Sequence, residues 1–288
     1  MKMDECLAFF NHENKQLSVG TLKEYNKDIT AFKAFLQNKY TEYFDIRQIK
    51  EQDLNDYLAM LTAVKGYKPS SRNRQMNTLR SFFKFCKKKS LVEKNPAEYL
   101  QRLKEPPRQA VFLTSKEVGE LIPAINHPLI QLVVLTLFYT GLRITECLKL
   151  ELTDVDFQQN TITVKHGKGD KRRVIPLHSE LKIHLQAYIQ NWRIKGKTER
   201  LFLTERTNSL SDVYVNKVLK ETVEKLKWDK HVTCHVLRHS FASALVQNNV
   251  NIVAVQQLLG HANLKTTSSY THIHQQTVDE GIETLTIF

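Results

Sequence analysis

Tyr270 stands in the run Thr267-Ser268-Ser269-Tyr270-Thr271-His272, whose small polar residues leave a phenol accessible, unlike a core tyrosine held among Leu and Ile. Nine residues before it comes Gly260-His261, and further upstream lie His235 and Arg238, three apart and on one face if their stretch is helical. A phenol is protonated at neutral pH, with a pKa of about 10, so as a nucleophile it needs a base and a cationic field. Two imidazoles and a guanidinium in one short window supply both. Tyr270 reads as a nucleophile, with the others holding the phosphodiester it attacks. Two cations from elsewhere could join them. Arg143 follows Gly141-Leu142 at the end of a strongly apolar run and requires an anionic partner, either Glu146 or a bound phosphate. Lys168 lies between Gly167 and Gly169 at what reads as an exposed hairpin tip, the usual place for a merely solvated lysine.

The elements that must position these residues follow from periodicity. Ser18 caps a helix running to about Gln37, with Leu22, Tyr25, Ile29, Phe32 and Leu36 on one face. A second helix begins at Asp53, with Leu54, Tyr57, Leu58 and Leu61 buried, and a third begins after Pro69-Ser70-Ser71. Gln101 to Phe112 carries Pro106-Pro107 and little periodicity, which reads as an interdomain linker. Thr114 to Glu117 is a capping box, and Pro128 to Tyr139 is apolar nearly all round, hence a buried helix ended by Gly141 as its C′ residue. Between Val155 and Leu177 the period becomes two. Thr161–Val164 and Arg173–Pro176 read as strands around the lysine-bearing turn, with a short third strand over Asp154 to Phe157. Helices resume at Ser179 to Arg193, at Ser211 to Leu226 and through the Tyr270-bearing region.

Composition limits the partners. Forty-two Lys and Arg against 30 Asp and Glu give a net charge of +12, which favours an anionic partner, nucleic acid above all. The charge is concentrated: Lys65 to Ser90 holds nine basic residues and no acidic one. Opposite the Met76, Leu79, Phe83 and Cys86 stripe, Arg74, Asn77, Ser81, Lys84 and Lys88 form a continuous row that can meet DNA phosphates, with Arg72 and Arg80 as further candidates in the same helix. No apolar run approaches the roughly 20 residues of a bilayer span. The N-terminus lacks a cleavable apolar region, so a cytoplasmic, nucleoid-associated protein is expected. Cys6, Cys86, Cys147 and Cys234 show no metal-binding or disulfide spacing. No phosphate-binding glycine loop indicates a nucleotide cofactor.

Together these residues resemble the tyrosine recombinase (lambda-integrase-like) family, in its Xer-type branch. The resemblance is carried by Gly141-Leu-Arg143-Ile-Thr-Glu146, Gly167-Lys168-Gly169, His235-Val-Leu-Arg238-His239, Leu259-Gly260-His261 and Tyr270-Thr-His272, in that order and at those separations. It spans the second domain and extends to the first as helical organisation and basicity. The fold it implies is mainly α. A helical core-binding (SAM-like) domain over 1–105 and a linker over 106–112 precede a catalytic domain over 113–277 with a small three-stranded antiparallel sheet. The tail, 278–288, keeps apolar residues to the end (Ile282, Leu285, Ile287, Phe288) and is expected to dock in cis or on a neighbouring protomer.

The chemistry the resemblance implies is site-specific recombination of double-stranded DNA through a 3′-phosphotyrosine and a Holliday junction. Tyr270 attacks, Arg143 and Arg238 grip the non-bridging oxygens, His235 is the base, Lys168 protonates the departing 5′-oxygen and His261 hydrogen-bonds the phosphate. Glu146 orients Arg143 or His235, and His239 packs rather than reacts. Neither metal nor ATP is expected, and the active species is a homotetramer of two bound dimers, alone or with a second recombinase or accessory protein. Resolution of dimers or cointegrates is favoured over integration or excision of a mobile element. A type IB topoisomerase and a non-catalytic DNA-binding regulator are the remaining alternatives.

Overall fold

A computed structural model describes residues 1–40, 44–106, 111–165, 172–196 and 198–260. Lys168, His261, Tyr270 and the tail lie outside the described residues. The chain divides into two compact units, Met1–Arg108 and Gln109–Phe288, and the division falls within the proline-bearing stretch 106–112.

The first unit is built from α1 (Met3–Glu13), α2 (Val19–Leu36), α3 (Glu51–Ala63) and α4 (Pro69–Lys88). Ser18 caps α2 by accepting the Thr21 N–H at 3.1 Å. The third helix starts two residues before Asp53, because Asp53 is its N3 residue and accepts the Lys50 N–H at 2.8 Å. Helix α1 has its own stripe of Met3, Cys6 and Phe10, at helical spacing and buried. These side chains join Phe32, Tyr57, Phe82 and Phe83 in one aromatic-rich core.

The second unit surrounds α6 (Pro128–Thr140), whose Ile130, Val133, Val134 and Leu137 are fully buried, as its all-round hydrophobicity requires. Before it runs α5 (Ser115–Ala124), opened by the Thr114–Glu117 capping box, and after it the short α7 (Ile144–Cys147). A three-stranded antiparallel sheet follows in the order β1 (Val155–Asp156), β2 (Thr161–Val164), β3 (Arg173–Pro176), with Ile162 opposite both Val155 and Ile175. The first strand is shorter than the period-two pattern predicts, since Asp154 belongs to a 3-10 turn whose first N–H it accepts, that of Glu151, at 2.9 Å. Helix α8 (Ser179–Ala187) runs into a π turn over Tyr188–Trp192, where the buried Tyr188 hydroxyl donates to the Leu201 carbonyl at 3.0 Å. The unit continues through α9 (Asp212–Lys225), α10 (Cys234–Gln247) and α11 (Ile252–Leu259). Helix α10 packs along α6. Among the described residues no helix is long and apolar enough to cross a membrane.

Candidate active site

Gly141 ends α6 in the left-handed conformation, φ +61°, and turns the chain sharply into α7. Arg143 is the N-cap residue of α7 and Glu146 its N3 residue. The Glu146 carboxylate accepts the Arg143 backbone N–H at 2.9 Å and the Arg143 guanidinium at 2.9 Å. Of the two partners open to Glu146, the described residues show Arg143 and not His235. Burial raises the proton affinity of this carboxyl, but hydrogen bonds from Arg173 and Arg143 prevail and hold it below the usual carboxylate range.

Helix α10 brings the second set. Thr233 caps it, and the Cys234 N–H donates to Asn216 on α9 at 3.0 Å, fixing the first turn from which His235 and Arg238 project. Arg238 is buried, and its guanidinium donates to the carbonyls of Gly141, at 2.6 Å, and Leu259, at 2.7 Å. One arginine thereby ties the end of α6, which leads to Arg143, to the end of α11, which leads to His261. Gly260 after α11 is again left-handed, φ +65°.

His235 is on the exposed side of α10, its ring 4.4 Å from that of His239. Desolvation, then the positive charges of Arg238 and Arg143, lowers its pKa. The same causes, with His235 replacing Arg143, bring His239 to about 4. Both imidazoles are therefore neutral at neutral pH, and His235 is able to accept a proton. Cys234 is buried, and desolvation pushes its thiol up to about 12, which suits packing and not nucleophilic attack.

Arg173 escaped the sequence reading. In Lys171-Arg172-Arg173 it looks like one more solvated cation, yet its side chain is only 11% exposed. It forks onto Glu146 at 2.7 and 3.2 Å and donates through Nε to the Leu258 carbonyl at 2.8 Å. At the start of the same hairpin Lys165 pairs with Asp154 at 2.7 Å and Glu151 at 3.2 Å. Among the described residues three guanidiniums (Arg143, Arg173, Arg238) face one carboxylate here, a cationic setting of the kind that stabilises developing negative charge.

The candidate cations on α4 are engaged to different degrees. Arg72 is buried and donates to the Gln101 carbonyl, and Arg80 donates to the Leu100 carbonyl. Asn73 exchanges hydrogen bonds with Leu103 at 2.9 and 3.0 Å, so this side of α4 braces the segment leaving the first unit. Arg74 forks onto the buried Asp28 at 2.6 and 2.9 Å, and its charge is compensated. Arg74, Asn77, Lys84 and Lys88 are exposed and Ser81 is half-buried.

A groove of about 580 Å³ crosses the second unit, lined by Val118, Ile122, Phe138, Phe241, Leu245 and Leu258. Among the described residues no cluster of His, Cys, Asp and Glu is arranged to hold a metal ion.

Comparison with known proteins adds an independent result. Residues 111–277 match the phage integrase family, and residues 9–90 match the phage integrase N-terminal SAM-like domain. The tyrosine recombinase XerC of Pediococcus pentosaceus is 32% identical, over 93% of this chain and 92% of that protein. The XerC of Oceanobacillus iheyensis is 33% identical, over 93% and 90%. The fold matches the Tn1549 transposon integrase in complex with a circular intermediate DNA, with a TM-score of 0.81 at 21% identity, over 99% of this chain and 100% of that one.

Proposed function

The chain belongs to the phage integrase family as a site-specific tyrosine recombinase of Xer type, and on that premise we propose that Tyr270 is its nucleophile. Tyr270 attacks the scissile phosphate, forms a 3′-phosphotyrosyl bond and releases a 5′-hydroxyl. Arg143 and Arg238 hold the non-bridging oxygens as negative charge builds there. His235, neutral for the reasons above, takes the phenolic proton. Lys168 delivers a proton to the departing 5′-oxygen, and His261 donates to the phosphate. Glu146 orients Arg143, and His239 packs behind His235. Strand exchange through a Holliday junction then needs no ATP, because the covalent link conserves the phosphodiester.

The observation that carries this reading is the junction at Arg238, where the chain segments leading to Arg143 and to His261 are bound by one guanidinium. DNA contact on the first unit falls to Asn77, Ser81, Lys84 and Lys88. The tail 278–288 occupies the apolar groove of a neighbouring protomer, because its Ile282, Leu285, Ile287 and Phe288 match the groove's lining in chemistry. Such an exchange closes a cyclic homotetramer on two recombination sites. The biological role is resolution of dimers or cointegrates of DNA in the cytoplasm, with or without a partner recombinase.

A suicide DNA substrate, nicked beside the cleavage position, tests the assignment. The expected product is a denaturant-resistant protein–DNA adduct that forms in EDTA and is lost in Tyr270→Phe. An adduct that survives this substitution refutes Tyr270 as the nucleophile.

A further inference from the structure

Arg173 uses all three nitrogens of its guanidinium in a place where a lysine could not. Two nitrogens meet the two oxygens of Glu146, and the third reaches the Leu258 carbonyl. Three donors in one rigid plane are specific to arginine. The Gly260 backbone lies against the same group: a Cβ there would come within 3.1 Å of Nη1 and 3.2 Å of Cδ. Residue 173 therefore touches α7 through Glu146, and both the last turn of α11 and its glycine cap. The Arg143 guanidinium donates to the same carboxylate, at the Oε1 oxygen that one Arg173 nitrogen also meets.

We propose that Arg173 is a positioning residue for phosphate activation, acting on Arg143 through Glu146 and on the α11 terminus through Leu258. The inference rests on the reading of Arg143 as a phosphate-gripping residue. Glu146 is 3% exposed, so its charge is answered by protein groups and not by water. With Arg173 in place the carboxylate is shared between two guanidiniums, and the triad as a whole stays cationic. Without Arg173 the pair formed by Arg143 and Glu146 is neutral, and the carboxylate draws Arg143 in as its one remaining cationic partner among the described residues. The field offered to the phosphate weakens, although every residue that touches the phosphate is still present. The Leu258 carbonyl simultaneously loses its donor next to the turn that leads to His261.

The test is single-turnover cleavage of the suicide substrate by the full chain carrying Arg173→Met, Arg173→Lys, Arg143→Ala, Glu146→Gln or Arg173→Met with Glu146→Gln. Displacement of a positioned group by about 1 Å costs on the order of 100-fold in rate. Arg173→Met is expected to lose that much with DNA affinity unchanged within about twofold, and Arg173→Lys, which restores charge without the fork, to recover only part of it. In the Glu146→Gln background the loss on Arg173→Met is expected to shrink, since the carboxylate that captures Arg143 is gone. A methylphosphonate at the scissile position removes a non-bridging charge and so the need for Arg143. On this substrate the Arg173→Met deficit is expected to narrow in parallel with that of Arg143→Ala, whereas mere loosening of the fold slows both substrates alike. An equal proportional loss on the two substrates, or none, overturns the proposal. Full cleavage by Arg143→Ala overturns instead the reading of Arg143 beneath it. If Arg173→Met does not fold, Arg173→Lys carries the same comparison.

Discussion

Gly141→Ala perturbs the turn on which the cluster depends. At φ +61° an L-residue pays the left-handed penalty, about 1–2 kcal/mol. The added Cβ would also lie 2.2 and 2.6 Å from two ring carbons of Phe241 and 3.0 Å from Leu259 Cδ2. Phe241 and Leu259 are buried, so relief requires the core around α10 and α11 to shift, an overpacking cost of about 1–3 kcal/mol. The two effects together predict a loss of about 2–5 kcal/mol. The protein's two tryptophans, Trp192 and Trp228, both belong to the second unit, so urea unfolding followed by tryptophan fluorescence reports on that unit. Gly119→Ala is the control of opposite sign. Gly119 is inside α5 with nothing within 4 Å of its would-be Cβ, and alanine there is expected to stabilise by up to about 1 kcal/mol. Because the Gly141 carbonyl accepts from Arg238 at 2.6 Å, cleavage by Gly141→Ala should fall further than DNA binding does. A stability within about 0.5 kcal/mol of the parent refutes the packing argument, and an unaltered cleavage rate refutes the link to Arg238.

Lys84→Ala is expected to reduce the slope of log affinity for DNA against log salt by about 1, whereas Arg72→Met should leave that slope unchanged and lower the melting temperature of the first unit. Equal slopes in the two variants would contradict the assignment of Arg72 to the Gln101 carbonyl. With the neutral form of His235 as the proposed base, its lowered pKa is expected to place the acid limb of the cleavage rate below the ordinary histidine value; an inflection above about pH 6.5 in a single-turnover profile argues against that role. His239 is depressed to about 4 in the folded chain. The unfolded chain therefore binds this proton first, and stability complete above about pH 6.5 is lost as pH falls toward 4, which urea midpoints across that window measure. Lys168→Ala should slow cleavage of an ordinary substrate and recover on one with a 5′-thiolate leaving group, which departs without a proton; no recovery removes Lys168 from the general-acid role.

Local chemistry was legible in the chain. Ser18, Thr114 and Gly141 act within a few residues of where they stand, so the helix ends they mark follow from neighbours alone. The stripes of α2 to α4 and the alternation in β2 and β3 likewise follow from the backbone period. Long-range pairing was not legible. Arg72 meets a carbonyl 29 residues away, Arg74 a carboxylate 46 away and Arg173 a carbonyl 85 away. Each reads in one dimension as a solvated or DNA-facing cation.

Residue types and order were enough to name the family and its reaction class, because the resemblance is carried by side chains in sequence and not by their contacts. Which cations remain available to a phosphate depended on folding, because a guanidinium's availability is set by whatever acceptor the fold brings to it. Arg173 shows most clearly a cation that the fold takes up, and Arg238 one that the fold anchors within the cluster. Nothing in their spacing announces that one holds Glu146 and the other the carbonyls of Gly141 and Leu259. Those contacts exist only where α6, α7, α10, α11 and β3 converge.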